Sequence, residues 1–341
     1  MTSVTRFERP IVRETGPLPI EGSSARPRAA LLSRRSLCTA LGVLWLLDGA
    51  LQLQSFMFTK GFADQIVAPS GAGQPYFVAG PVGWNARLIA THPIVLNGLF
   101  ASVQLALGVG FLFRRTARFA IVGSMAWAAG VWYLGEGLGG LAGGTSTGLA
   151  GAPGAAVLYF VLALAAWPGS PSAPHGPRSP RLLRPPQWLL MVWAFLWVGF
   201  AALNLLPSNL RPHAISELLN ANASTAPSWL ATIDRGVASA VHASGYGSVL
   251  VIVAVELGIG LLVFGNRVIR EVALWAGILA AGLFWAVGQT FGQLFSGQAT
   301  DPNTGPLLIL VGLAALGATR HQAGAEADGV APNRELADMA A

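Results

Sequence analysis

Residues 247–265 read GSVLVIVAVELGIGLLVFG, and Glu256 is the only ionisable side chain within them. A helix that crosses the hydrocarbon core of a bilayer needs about 20 predominantly apolar residues. A helix of this composition has no polar face to present to water. The stretch therefore predicts a transmembrane helix.

Seven further apolar stretches resemble this one in composition, and the fourth and eighth stretches along the chain are short, at about 15 residues. They span residues 37–58, 93–113, 119–138, 153–168, 187–206, 271–291 and 305–319. The whole chain is 53% hydrophobic and only 11% charged, whereas soluble proteins carry about 25% charged residues. The sequence therefore predicts an all-α fold, a polytopic membrane bundle of about eight transmembrane helices, with the lipid bilayer as its first partner.

The basic residues are distributed unevenly between the two ends of this predicted bundle. Seventeen of the 21 Arg and Lys residues fall in the tails and in the connections on one side. Cytoplasmic segments carry an excess of such residues, so both termini are predicted to be cytoplasmic in an inner (plasma) membrane. Residues 1–36 and 320–341 would be disordered cytoplasmic tails, and residues 169–186 a cytoplasmic linker. This distribution accounts for the net charge of +6, and nucleic acid is not an expected partner.

A tandem duplication is predicted to divide the bundle into two parallel four-helix repeats, residues 37–168 and residues 187–319. A shift of 152–153 residues aligns the segment from Gln104 to Gly108 with the segment from Glu256 to Gly260. The same shift aligns Trp132 with Trp285. Four helices return the chain to its starting side, so the two repeats would be related by an axis along the membrane normal.

Three acidic residues fall inside predicted helices, where an ionised side chain costs about 2.5–3.5 kcal/mol on insertion scales. These are Asp48, Glu136 and Glu256. The alignment pairs Glu256 with Gln104 and Glu136 with Gln289, so each half has an amide where the other has an acid. One interpretation is a polar intramembrane pocket, lined by these five residues, that binds a ligand head group or conducts protons. The alternative is structural: hydrogen bonds between helices, worth about 0.6 kcal/mol each.

The sequence contains no motif that predicts a catalytic residue or a metal site. Cys38 is the only cysteine, which excludes an intramolecular disulfide, a CxxC redox pair and a cysteine-based zinc site. His92, His213 and His242 fall on the predicted outer face with Met57 nearby, a set that could hold a soft metal. They are far apart in sequence, so polar residues at the membrane interface are the ordinary interpretation. The sequence does not indicate which cofactor, if any, the protein binds.

Two helices carry a resemblance to a known family. Residues 40–49, ALGVLWLLDG, look like the opening helix of the DoxX-like membrane proteins, and residues 255–267, VELGIGLLVFGNR, are similar to their acid-led, glycine-rich second helix. The resemblance covers the helical cores of both halves and implies four-helix bundles. Some members are linked to quinone-dependent thiosulfate oxidation. The duplication, two long outer loops, and Gln104 in place of an acid depart from the family pattern.

Three hypotheses for function follow from these patterns. The first is a non-catalytic subunit or accessory protein of a redox or envelope complex, with a quinone-sized pocket near Glu136 or Glu256. The second is a small-solute or proton-coupled transporter that uses the interface between the repeats. The third is a structural or assembly protein. Helices broken by proline at matching positions in both halves are typical of transporter sites. The chain lacks such helices, and this favours the first or the third hypothesis.

The two long outer loops, residues 59–92 and 207–246, each carry a short pattern of alternating apolar and polar residues. This pattern occupies residues 61–67 in the first loop and residues 214–220 in the second. Both segments are expected to form short helices on the outer membrane surface.

Overall fold

The computed structural model describes residues 32–168, 188–317 and 319–320, and this part of the chain is all-helical with no strand. The predicted linker and nearly all of both predicted tails lie outside the described residues. The α-helices, in chain order, are α1 (Arg34–Leu51), α2 (Tyr76–Thr91), α3 (Pro93–Leu112), α4 (Ala117–Leu134), α5 (Ala155–Ala165), α6 (Trp188–Asn204), α7 (Ala214–Thr225), α8 (Ser228–His242), α9 (Tyr246–Leu261), α10 (Arg267–Leu283) and α11 (Thr304–Gly317).

Three helical segments of the described chain are long and apolar enough to cross a membrane. They are Pro93–Leu112, Tyr246–Phe264 and Arg267–Gly288. In the most apolar 18-residue stretch of each segment, only 33% is buried inside the protein. Large apolar side chains such as Phe119 and Phe195 are almost fully exposed. Contiguous apolar surface of this extent marks a membrane or protein interface, and the chain is accordingly membrane-associated. Helices α5, α6 and α11 are apolar but shorter.

Small residues allow the helices to approach one another closely at the centre of each half. In the first half α1 packs along α3, and a Cβ atom on Gly108 would lie 2.8 Å from the backbone nitrogen of Leu46. In the second half α6 packs along α9, and a Cβ on Gly260 would lie 3.1 Å from the backbone nitrogen of Val198. Such contacts between backbones are a main source of helix association in membranes.

The two long connections are more helical than the sequence predicts. The predicted short helices correspond to a π-helical turn, Phe62–Val67, and to α7. Each is followed by a longer helix, α2 or α8, that the sequence analysis did not predict. Pro81 lies inside α2, where it removes a backbone hydrogen-bond donor, so the local sequence disfavours a helix here. The helix forms because Val78, Val82 and Ile89, on one face, are buried in a cluster with Met57.

The chain breaks its helical path after α4 and again after α10. In the first break, Gly137–Gly143, the four residues from Gly137 to Gly140 have positive φ. In the second, Thr290–Gln293, all four residues have positive φ although only Gly292 is glycine. Positive φ is costly for residues other than glycine. Both breaks turn the chain back toward the last helix of its half.

Candidate functional site

A cavity of about 510 Å³ lies in the first half of the fold, within the range typical of ligand pockets. Its walls come from α1 to α5 and from the connection before α2, and residues Thr300, Asp301 and Asn303 of the second half contribute to it. The polar and aromatic side chains that face it include Trp45, Asp48, Gln52, Gln104, Trp127, Glu136, Tyr159 and Asp301.

Three carboxyl groups converge on this cavity from three separate parts of the chain. Asp48 comes from α1, Glu136 from the turn after α4, and Asp301 from the loop before α11. All three carboxyl groups belong to residues that line the same cavity. Among the described residues that line the cavity, none is Lys, Arg or His. The site is therefore acidic and has no intramolecular counter-charge within the described chain.

Asp301 is held by its own loop. One carboxylate oxygen accepts a hydrogen bond of 2.7 Å from the Thr300 hydroxyl, and the other accepts one of 2.7 Å from the backbone N–H of Asn303. Burial raises the pKa of Asp301 above its ordinary value, and these two hydrogen bonds oppose that rise. The loop thus fixes a desolvated carboxyl group at the edge of the cavity.

Glu136 lines the cavity and caps the helix that follows it. Its Oε1 accepts a hydrogen bond of 3.0 Å from the backbone N–H of Ala156, in the first turn of α5. A carboxylate at a helix N-terminus satisfies an otherwise unpaired donor and interacts favourably with the helix dipole. Its Oε2 is buried without a hydrogen-bond partner among the described residues and packs against Gly154, where a Cβ atom would overlap it. The side chain therefore caps α5 with one oxygen, while the carboxyl group as a whole borders the cavity.

Residues that line the cavity carry six buried side-chain atoms that make no hydrogen bond of good geometry within the described chain. Four are acceptors and two can donate: Asp48 Oδ1, Gln52 Oε1, Gln104 Oε1, Glu136 Oε2, Trp127 Nε1 and the Tyr159 hydroxyl. The Tyr159 hydroxyl is within reach of the Asp48 carboxyl group and can donate to it. Leaving a buried polar group unsatisfied costs about 1–3 kcal/mol. Native proteins retain such groups mainly where water, an ion or a ligand supplies the partner.

Aromatic rings form much of the apolar wall of the cavity. The rings of Trp45 and Tyr159 lie 4.3 Å apart between centroids, and those of Phe100 and Trp127 lie 5.6 Å apart. Trp45 Nε1 donates a hydrogen bond of 3.0 Å to the Ser124 hydroxyl. This bond and the packed, tilted Tyr159 ring fix the orientation of the Trp45 indole against the cavity.

The remaining two predicted pocket residues lie in the second half and do not face this cavity. Glu256 is fully buried in α9, and its Oε2 accepts a hydrogen bond of 2.8 Å from Asn204 Nδ2. Gln289 accepts a hydrogen bond of 3.1 Å from the backbone N–H of Gly305, at the start of α11. The structure therefore brings Asp48, Gln104 and Glu136 together, and separates Glu256 and Gln289 from them.

The position in the second half that corresponds to Asp48 is filled by an aromatic side chain. At the offset of 152 residues, Phe200 occupies the position of Asp48, and its ring lies 5.5 Å from that of Trp197. A Cβ atom on Gly148 would lie 2.6 Å from the Phe200 ring, so a loop of the first half packs directly against it. Trp193 is also fully buried there. These large aromatic side chains take up the volume that is the cavity in the first half.

Two cavity residues, Tyr159 and Asp301, were not identified from the sequence. Tyr159 is the only hydroxyl-bearing residue in the apolar helix α5, a signal that could have marked it. Asp301 gives no such signal, because nothing in the pattern places a loop of the second half against the first. Trp127, on α4, also lines the cavity.

Two of the outer histidines, His213 and His242, contact each other although they are far apart in the sequence. The rings of His213 and His242 are stacked 4.0 Å apart, and His242 Nδ1 lies 3.2 Å from the Ser216 hydroxyl. Within the described residues, no three His, Cys, Asp or Glu side chains form a group that could hold a metal ion.

No protein-family model matches the chain, and neither curated proteins nor solved structures provide a match. The resemblance to DoxX-like proteins accordingly stays a prediction.

Proposed function

We propose that this protein binds a small ligand within the membrane, in the cavity beside Asp48 and Glu136, and acts as a non-catalytic subunit or accessory protein of a redox or envelope complex. The observation that carries this proposal is the set of buried, unpartnered polar atoms around a cavity of about 510 Å³. The cavity offers acids, amides and aromatic rings but no activated nucleophile, and this composition favours binding over catalysis.

We further propose that the chain is a tandem duplicate with eight membrane spans. Recurrent local contacts support this idea. Trp132 Nε1 donates a bond of 2.7 Å to the Pro153 carbonyl, and Trp285 Nε1 donates one of 2.7 Å to the Pro302 carbonyl. The caps that Glu136 and Gln289 form on the last helix of each half recur in the same way. A duplicate would inherit all four interactions together.

Contacts between basic residues and helix ends support a cytoplasmic location for both termini. Arg34, at the start of α1, donates a bond of 2.6 Å to the carbonyl of Ala166, just after α5. Arg320, after α11, forms an ion pair of 3.1 Å with Glu271 at the start of α10. Basic groups are favourable near helix C-termini, and their accumulation at one end follows the positive-inside rule.

Reporter fusions test this topology. Fusions after residue 180 and at the C-terminus are expected to report a cytoplasmic location, and fusions after residues 75 and 225 an external one. Alkaline phosphatase and green fluorescent protein fusions give opposite signals for the two sides. A cytoplasmic signal at residue 75 would rule out the eight-span arrangement.

The substitution Glu136→Gln tests the binding function. The amide oxygen can still cap α5, because Gln289 caps α11 in that way. We therefore expect normal folding and membrane insertion. The cavity, however, loses a carboxylate oxygen, and hydrogen bonds to charged groups are worth about 1.5–3 kcal/mol, so retention of the ligand should fall about tenfold or more. The measurement is mass spectrometry of compounds that co-purify in mild detergent.

Glu256→Gln is the matched control, because it makes the same chemical change at a buried acid that does not line the cavity. It should retain the compound at the wild-type level. If wild-type protein carries no compound, or if both variants retain it equally, the binding proposal fails and a purely structural or assembly role is favoured.

A transporter is the second candidate, and one observation favours it. Both halves contain a helix break at corresponding positions, Gly137–Gly143 and Thr290–Gln293, although neither break contains proline. Discontinuous helices at matching positions are typical of transporter sites. Flux of the co-purifying compound into proteoliposomes would distinguish a transporter from a binding subunit.

A further inference from the structure

We infer that the ligand of the acidic cavity is an organic cation, an ammonium compound with an apolar body. This inference rests on the proposed binding function and specifies its ligand class. Three features of the cavity support it. They are an excess of hydrogen-bond acceptors, carboxyl groups contributed by both halves of the chain, and an aromatic wall.

The cavity is rich in hydrogen-bond acceptors, and this favours a ligand that donates. Gln52 and Gln104 line the cavity, are each at least nine-tenths buried, and each have an amide oxygen without a partner in the described chain. The carboxyl groups of Asp48 and Glu136 are further acceptors when ionised, whereas Trp127 Nε1 and the Tyr159 hydroxyl are the donors among these groups. An ammonium group carries donors and no acceptor. A quinone carries acceptors alone and matches this lining poorly.

The carboxyl groups of Asp48 and Asp301 have no counterparts at their repeat positions. Both aspartates line the same cavity, Asp48 from α1 and Asp301 from the loop before α11. At offsets of 152 and 153 residues, their positions are occupied by Phe200 and Gly148, which pack against each other without charge. A buried carboxylate is costly unless a cation pairs with it. The first half therefore has a charge-binding site where the second half has an apolar contact.

The aromatic wall favours an organic cation over a bare metal ion. The indole of Trp45 and the ring of Tyr159 pack together beside Asp48, and the Trp127 indole also borders the cavity. Ammonium groups are attracted to the faces of such rings, and the apolar body of an organic ligand is buried against them. Moreover, the described residues include no group of three or more acidic, His or Cys ligands with metal-binding geometry.

The test compares three probes of similar shape by isothermal titration calorimetry, with the full-length protein in lipid nanodiscs at pH 7. Phenethylamine is cationic, 2-phenylethanol is neutral and 3-phenylpropionate is anionic. We expect phenethylamine to bind about tenfold or more tightly than 2-phenylethanol, because hydrogen bonds to charged groups are the stronger ones. We expect no measurable binding of 3-phenylpropionate.

Two isosteric variants test the assignment to this cavity. Asp48→Asn and Asp301→Asn should each weaken phenethylamine binding about tenfold, since they remove a carboxylate without a change in volume. Glu256→Gln should bind phenethylamine as the wild type does, because Glu256 does not line the cavity. Using two separate aspartates guards against a folding defect in either variant, which size-exclusion chromatography would reveal.

The possible failures are distinguishable. Equal binding of the alcohol and the amine, or amine binding that both Asn variants retain, would overturn the inference of a cation site. Displacement of phenethylamine by equimolar sodium or potassium would also overturn it, in favour of an inorganic ion. If the wild type retains a neutral compound that Glu136→Gln loses, the proposed function stands and the cation inference fails. If neither a retained compound nor any probe is detected, both fail.

Discussion

Gly139→Ala is expected to lower the free energy of unfolding by about 3 kcal/mol or more. Gly139 has φ of 63° in the break that follows α4, and a Cβ atom there would overlap the carbonyl oxygen of Pro153. A left-handed conformation costs a residue with a side chain about 1–2 kcal/mol, and relief of an overlap in a packed region costs about 1–3 kcal/mol more. The measurement is unfolding titrated with sodium dodecyl sulfate in mixed micelles.

Gly73→Ala is the control for the conformational part of this effect. Gly73 has φ of 70°, and a Cβ atom there would meet nothing within 4 Å. This variant should therefore lose only about 1–2 kcal/mol. Equal losses in the two variants would show that the contact between the break and Pro153 does not constrain the fold.

Gly130→Leu is expected to reduce ligand retention and phenethylamine affinity about tenfold or more while the protein stays folded. Gly130 lies on α4, lines the cavity, and a Cβ atom added there would meet nothing within 4 Å. The leucine side chain therefore has room to enter the space that the ligand would occupy. Glycine is also a poor helix former, by about 1 kcal/mol relative to alanine, so the substitution should not weaken α4.

Gly258→Leu makes the same change on α9, where an added Cβ atom also meets nothing within 4 Å. Gly258 does not line the cavity, so this variant should bind phenethylamine and retain the co-purifying compound at wild-type levels. Full binding by folded Gly130→Leu would show that the ligand lies elsewhere in the protein. A loss in both variants would point to an effect on the membrane-facing helices as a whole.

The helical class of this protein and its membrane association follow from composition. A stretch such as residues 247–265 has no polar face, so burial in lipid is the available solution. Three candidate spans confirm this part of the prediction, whereas the eight-span topology and the repeat stay predictions. The helices α2 and α8 were missed because internal proline or polar residues obscured their buried faces.

The candidate site was only partly predictable for a different reason. The cost of burying a carboxyl or an amide identifies Asp48, Gln104 and Glu136 as interior residues, and these three do line one cavity.

The same cost applies to Glu256 and Gln289, yet these two do not line the cavity: one oxygen of Glu256 bonds to Asn204, and the amide oxygen of Gln289 bonds to the start of α11. Sequence periodicity specifies which residues avoid lipid, but not which of them line a cavity. That difference depends on volume: Phe200 packs at the position in the second half that corresponds to Asp48, whereas the first half stays open there and receives Asp301 from a distant loop. Packing across the two halves, which no local pattern encodes, therefore decided where this acidic cavity lies.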